Sequence, residues 1–226
     1  MTSAGSRSSC RSSSTWGFVN AQLRSYYTEG PKTIAFEIAE QLDWQLPTAV
    51  FAPIGSGALY SKIYEGFADL HDVGLVEGEP PRLYGGQAEG CAPVAEAFAE
   101  GRLVTPTRPA TVALSIAIGN PADGDLAVTT ARNSGGEIYA VPEDEIAPNI
   151  AELARATGVW GETAPAVAYG ALKQALHRGS VGATDRVVLL VSGDGLKTPG
   201  LVEHLVEPHT IKPDSDAFLD RLAAHV

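Results

Sequence analysis

Apolar positions along the chain switch between two periods. Residues 48–54 form a short run of apolar and β-branched residues, and Ile63, Phe67 and Leu70 follow at spacings of four and three. Gly55-Ser56-Gly57 stands between them. This pattern predicts a strand, a tight glycine turn and a helix N-terminus. Upstream, Ile34, Ile38 and Leu42 recur every four residues within 29–44, widened by Phe36, Ala35 and Ala39. Pro31 is placed to open that helix, because the N–H it lacks needs no partner there. The stripe predicts a mostly buried helix. Residues 16–20 read as a short strand.

Downstream, 81–88 predicts a strand, 91–100 a helix of small residues ended by Gly101, and 104–110 a loop. An apolar run over 110–118 ends at Ile118-Gly119-Asn120-Pro121. Residues 125–133 read as a helix closed by Ser134-Gly135-Gly136, and 137–141 as a strand. Pro142 and the acids Glu143, Asp144 and Glu145 open a further helix, favourably for its dipole, with Ile146, Ile150 and Leu153 inward. A helix spans 164–177. Residues 186–191 are apolar after Arg186, the signature of a parallel strand buried on both faces, and end at Ser192-Gly193-Asp194-Gly195. A closing amphipathic helix covers 216–224. Strands alternating with helices at this spacing predict an α/β fold, a mainly parallel sheet flanked by helices.

The turn at Gly55-Ser56-Gly57 can bind an anion. The first N–H groups of a helix lack partners inside it, and the helix dipole adds partial positive charge. Glycine allows close approach to the backbone, and Ser56 adds a hydroxyl. Neither the P-loop nor the dinucleotide fingerprint fits, because Tyr60 stands where each needs glycine. Taken alone, the turn reads equally as strand–helix geometry without a ligand. The second glycine turn shifts the balance, since ligands in such sheets sit at the carboxyl ends of strands and both turns fall there.

Composition narrows the partners. The net charge of −11 argues against nucleic acid or an anionic membrane. No apolar run approaches the ~18 residues of a membrane span. Five lysines against eleven arginines and twenty-seven acids suit a high-salt cytoplasm. The two cysteines, Cys10 and Cys91, support neither a disulfide framework nor a zinc site, so a reducing cytoplasm is expected. The five histidines show no metal-ligand spacing. Residues 1–15 hold seven serines, two arginines and no acid. They are expected to be disordered, ahead of a single domain over 16–226.

Several stretches, in order, resemble threonine synthase, a pyridoxal-phosphate enzyme of the tryptophan synthase β-like group (fold type II). They are EGPKTIAFEIAEQL, APIGSGALYSKIYEGF, YGGQAEGCAPVAEAF, IAIGNP, SGGEIYAVPEDEI and VLLVSGDGLKTP. The resemblance implies that Gly55, Ser56, Gly57, Ala58 and Leu59 hold the phosphate of pyridoxal 5'-phosphate, with Ala58 in place of a family glycine and Leu59 in place of a frequent asparagine. It implies that Ser192 meets the pyridine nitrogen as a neutral hydroxyl. Asn20 and Arg24 fall where family members contact the substrate phosphate, and residues 161–166 (GETAPA) where the family has a similar segment near the ring. The implied reaction converts O-phosphohomoserine and water to threonine and phosphate, with a homodimer as the common assembly. One departure is decisive. The family's cofactor-bearing lysine lies upstream of the glycine loop in a Ser-x-Lys context, and none of Lys32, Lys62, Lys173, Lys197 and Lys212 matches it. Lys62 is expected to be solvated. The resemblance therefore implies a fold incomplete at its N-terminus and a chain inactive alone, with no catalytic residue of its own. Two alternatives stand beside it: a non-catalytic phosphate-binding remnant, and another lyase of the group such as a serine/threonine dehydratase.

Overall fold

The computed structural model describes residues 25–205 and 210–223. The strand expected at 16–20, the segment 1–15 and the residues Cys10, Asn20 and Arg24 lie outside them. The chain enters through two helices, α1 (Ser25–Glu29) and α2 (Lys32–Gln41), where the pattern had predicted one. Gly30 and Pro31 separate them, and Asp43 and Trp44 end the second with positive φ values of 53° and 61°. The core then alternates: β1 (Ala49–Pro53), α3 (Ala58–Asp72), β2 (Arg82–Ala88), α4 (Pro93–Glu100), α5 (Gly124–Ser134), β3 (Ile138–Val141), α6 (Glu143–Thr157), α7 (Thr163–Arg178) and β4 (Val187–Leu189). A last helix, α8 (Ser215–Ala223), follows. The apolar run at 110–118 folds as loop with one 3-10 turn, Leu114–Ile116. Among the described residues no helix is long and apolar enough to cross a membrane.

The four strands form one parallel sheet in the order β3-β2-β1-β4. Alternation along β1 sends Val50 and Ala52 to one face, against Ala35, Ile38, Tyr60, Ile63 and Phe67 of α2 and α3. Ala49 and Phe51 go to the other, against Ala171 and Ala175 of α7. All five residues of β1 are buried, as a strand inside a parallel sheet requires. On the α7 face the rings of Phe51 and Tyr84 stack at 4.6 Å, and Tyr139 continues the row at 6.5 Å from Tyr84.

This order contains a switch. The chain moves outward from β1 to β2 to β3, then crosses to the other side of β1 for β4. The helix after β1 and the helix before β4 consequently lie on opposite faces, and the crevice between them opens at the carboxyl ends of β1 and β4. Pro53 helps to define that opening. Ala49 N–H donates to Arg186 O (3.3 Å), and Leu190 N–H donates to Phe51 O (2.9 Å). Pro53 is the next β1 residue facing β4 and has no N–H to offer, so the ladder between the two strands stops.

Two expectations need correction. Residues 186–191 were expected to be buried on both faces, yet β4 lies at the edge of the sheet and Val187, Val188, Leu189 and Leu190 are only half-buried. Composition reports apolar surroundings on two faces but not whether the strand has neighbours on two sides. The closing helix α8 is present, but Phe218, Leu219 and Leu222 on it are 52%, 57% and 53% exposed, so its apolar stripe is not packed against the described residues.

Candidate functional site

The glycine loop connects the buried centre of the sheet to a long helix. Ile54 N–H donates to Gly86 O at 2.8 Å, which keeps the chain in the sheet up to the loop. Gly57 then takes φ of 96° and turns the chain into α3. A Cβ at Gly57 would stand 2.4 Å from the Asp123 carbonyl oxygen, so both conformation and space demand glycine there. The neighbouring segment is bound closely: Asp123 N–H donates to Ser56 O at 2.9 Å, and Gly55 lies against Ile116 and Ile118. Ser61 is the first α3 residue whose N–H bonds within the turn, to Gly57 O at 3.0 Å. The N–H groups of Ala58, Leu59 and Tyr60 have no carbonyl four residues earlier in the helix. Ala58 N–H has only a long contact, 3.5 Å, to Ser56 Oγ.

The side chains explain which predicted positions face outward. Gly55 and Ser56 are partly exposed, whereas the Ala58 methyl is buried. The alanine that replaces a glycine therefore leaves the outer side of the loop clear. Leu59 packs against the core instead of reaching the site; it contributes its backbone N–H alone. Tyr60 is fully buried and its hydroxyl donates to Leu83 O at 2.6 Å, fixing the start of α3 to β2. Burial drives that phenol well above its ordinary pKa.

Gln87 is the support that sequence reasoning missed. It is fully buried in β2. Its Nε2 donates to Ile54 O at 3.3 Å, and its Oε1 accepts from Val94 and Ala95 N–H at 2.8 and 3.1 Å. One amide thus satisfies the entrance of the glycine loop and the N-terminus of α4. The QAEG stretch quoted for the resemblance contained this residue, but nothing local to it disclosed the long-range partners. Glu143 acts similarly at the end of β3, accepting from Gly90 and Val112 N–H, each at 3.0 Å. It holds the 103–112 loop to the ends of β2 and β3.

The second glycine turn stands beside the first. Continuing the register of β4 on β1 sets Ser192 abreast of Ile54. Ser192 is exposed. Gly161 bridges Asp194, and Glu162 N–H donates to Gly193 O at 2.9 Å, so the turn rests on the first turn of α7. A Cβ at Gly193 would meet Glu162 Oε1 at 2.0 Å, and one at Gly195 would meet the Trp160 indole at 2.3 Å. Glu162 is 5% exposed and accepts from Lys197 Nζ at 3.4 Å. Thr163 Oγ1, at the start of α7, is buried without a hydrogen-bond partner, an orphan hydroxyl suited to a molecule that carries its own polar atoms. Segment 161–166 therefore lies against the Ser192 turn.

The lysines sit elsewhere, Lys197 excepted. Lys62 was expected to be solvated, yet only 18% of its side chain is exposed. It pairs with Glu29 and Glu65, while Lys32 pairs with Glu29 and Asp69. Glu29 comes from α1 and Glu65 from α3 itself, three residues on, so linear spacing along α3 reveals only one of the two partners of Lys62. A concavity of about 750 Å³ lies at the other end of the strands, lined by Trp44, Thr48, Glu77, Glu79 and Arg82. It has acids on its wall and no helix N-terminus, so the carboxyl-end crevice is the better anion site.

Comparison with known proteins agrees with this geometry. Residues 4–193 match the family described as pyridoxal-phosphate dependent enzyme. The chain is 37% identical over 199 residues to threonine synthase of Methanocaldococcus jannaschii, covering 87% of this chain and 49% of that protein. It is 36% identical over 202 residues to threonine synthase of Methanosarcina acetivorans, covering 88% and 49%. The chain thus spans about half the length of these relatives. In fold it is similar to the crystal structure of threonine synthase from Escherichia coli (TM-score 0.61, 16% identity, 88% of this chain and 49% of that one). It is also similar to a fungal L-serine ammonia-lyase from Rhizomucor miehei (TM-score 0.64, 19% identity, 81% and 58%). A parallel sheet with both glycine turns at one crevice, matched over residues 4–193, establishes that the chain belongs to the pyridoxal-phosphate dependent enzyme family, with the type II fold and with similarity to threonine synthases.

Proposed function

We propose that this chain supplies the phosphate-holding part of a threonine synthase-type site. The observation that carries the reading is the loop after β1: Gly57 at φ of 96° opens a fifteen-residue helix with no side-chain cap, whose first N–H groups have no carbonyl partner within the helix. In this reading Gly55, Ser56, Gly57, Ala58 and Leu59 hold the phosphate of pyridoxal 5'-phosphate through backbone donors and the Ser56 hydroxyl. Ser192 meets the pyridine nitrogen, and its neutral hydroxyl leaves that nitrogen unprotonated. Glu162 and Thr163 lie buried behind the Ser192 turn, with Glu162 N–H donating to Gly193 O. Bound there, the cofactor supplies an electron sink for the substrate's carbon skeleton. The residues of the chain bind and orient it; they do not include the family's cofactor-bearing lysine. The substrate in this reading is O-phosphohomoserine, with Asn20 and Arg24 as contacts to its phosphate. Residues 16–226 act as one cofactor-binding domain, and threonine formation needs polypeptide beyond the residues that match, from a further segment or a partner copy.

The test is a titration of the purified chain with pyridoxal phosphate, followed by borohydride reduction and peptide mapping. The expected result is saturable binding that inorganic phosphate competes away, no single labelled lysine, and no threonine from O-phosphohomoserine. Ser192→Ala should shift the absorbance of the bound cofactor with little change in stability, within about 0.5 kcal/mol, because Ser192 is exposed. A stoichiometric adduct at one lysine together with threonine formation would overturn the claim that the chain alone is inactive. Absence of phosphate-competed binding would overturn the cradle.

A further inference from the structure

We infer that Glu162 is the positioning residue of the Ser192 turn: its buried carboxylate is the seat on which that turn rests, and Lys197 is the counter-charge that keeps the seat neutral. The inference deepens the reading of Ser192 as the group facing the pyridine nitrogen, and rests on that reading for its chemical consequence. Backbone bonds tie the turn to the segment ahead of α7 on both sides of Asp194. Glu162 N–H donates to Gly193 O and Gly195 N–H donates to Trp160 O, each at 2.9 Å, around the antiparallel bridge between Gly161 and Asp194. Ser192 is itself exposed and stands next to this clamp, so its place is set by what holds Gly193.

The Glu162 side chain serves the turn and not its own helix. It stands at the N-cap of α7, where an acid ordinarily accepts from the first N–H groups, yet it makes no such bond. Instead it lies against Gly193: a Cβ there would meet its Oε1 at 2.0 Å, its Cδ at 2.7 Å and its Cγ at 2.9 Å. Glycine at 193 and a long side chain at 162 are two halves of one contact, which leaves Glu162 buried. A carboxylate buried this deeply needs a counter-charge or hydrogen bonds. Neither Thr163 Oγ1, beside it in sequence, nor Thr198 Oγ1 serves it, since both are buried without a hydrogen-bond partner. Lys197 does, with Nζ 3.4 Å from Oε1. The turn itself delivers this lysine. Asp194 Oδ1 accepts from Leu196 N–H at 2.8 Å and opens the 3-10 turn Gly195–Lys197. Lys197 and the exposed Asp194 are thus the charged groups that this turn sets beside Glu162. A lone carboxylate behind Ser192 would draw a proton to a basic nitrogen in front of it. Paired with Lys197 it presents little net charge there, and the nitrogen meets a neutral hydroxyl.

The experiment titrates by NMR an imidazole placed at the turn by Ser192→His, in the chain without cofactor. Ser192 is exposed, so this substitution leaves the fold intact. The added imidazole is the resonance absent from the unsubstituted chain. Adding Lys197→Met uncovers the carboxylate and should raise the pKa of that imidazole by about 0.5. Adding Glu162→Gln should lower it, because the lysine then stands alone, and Lys197→Arg should leave it within about 0.1. In parallel, amide exchange at Glu162 and Gly195 should accelerate at least about tenfold in Glu162→Ala, whose short side chain leaves Gly193 unsupported. Glu162→Gln keeps the shape and should keep the protection. Lys197 is largely exposed, so Lys197→Met with Lys197→Arg as control decides the matter if a Glu162 variant does not fold. No shift in Lys197→Met, or shifts of one sign in Lys197→Met and Glu162→Gln, overturns the proposal. So does unchanged amide exchange in Glu162→Ala. Phosphate-competed cofactor binding and the Ser192→Ala absorbance are read separately, so failure of the seat is distinguishable from failure of the cofactor site.

Discussion

Gly57 shows how much one residue carries. Its φ of 96° lies in the left-handed region, and the Asp123 carbonyl occupies the space a side chain would need. Gly57→Ala combines conformational strain of about 1–2 kcal/mol with a backbone clash that only displacement of the 121–124 segment relieves. The expected outcome is a loss of stability above about 2 kcal/mol, seen by urea denaturation, and loss of phosphate-competed cofactor binding. Gly55 differs, because a Cβ there would make ordinary contact at 3.4 Å with Ile118. Gly55→Ala should fold with a cost below about 1 kcal/mol and lose affinity for phosphate alone. At this scale the sequence displayed the glycines but not their separate reasons. The need at Gly57 comes from a carbonyl sixty-six positions away, which no local pattern encodes.

Between elements, a few buried polar side chains do the joining. Gln87 ties β2 to the glycine loop and to the first turn of α4 through three hydrogen bonds. Gln87→Leu would leave Ile54 O, Val94 N–H and Ala95 N–H without that partner in a site closed to water. A cost of about 3 kcal/mol is expected, with the cofactor affinity falling as the loop loses its support; thermal melting with and without pyridoxal phosphate checks both. Strands β1 to β3 and helices α3 to α7 fall within a few residues of the periodicity that predicts them, because each has a core face that repeats at 2 or near 3.6 residues. The apolar run at 110–118 is the counterexample. It packs against Gly55 as loop and 3-10 turn, and apolar content without a period could not distinguish that from a strand.

Over the whole molecule, charge and burial set the conditions of stability. Asp185 is held below its usual pKa, first by the Gly182 N–H and also by Thr48 and Arg82. A lowered folded pKa contributes stability above the unfolded value and loses it as pH falls through the folded one. The acid limb should therefore begin below about pH 4, and Asp185→Asn should flatten it. Cys91 is shifted the other way, chiefly by burial, and Tyr60 further still. A raised folded pKa holds its stability below the unfolded value and loses it above. An alkaline limb should start near about pH 8.5, set by the thiol, and Cys91→Ala should move its onset toward the tyrosine range in a pH series of urea midpoints. Net charge of −11 adds self-repulsion, so molar potassium chloride should raise the melting temperature. An unchanged midpoint between dilute buffer and molar salt would remove the high-salt reading of the composition.

By itself the sequence determined the alternation of strands and helices, the two glycine turns and the family, since these depend on local period and on short strings such as Ile118-Gly119-Asn120-Pro121. Only the tertiary structure decided strand order, and with it the switch between β1 and β4 that brings turns 135 residues apart, at Gly57 and Ser192, to one crevice. It also decided that β4, internal by composition, is an edge. The reason is physical: side-chain pattern records what each face of a strand touches, whereas hydrogen bonding in the plane of the sheet is made by backbone that every residue shares.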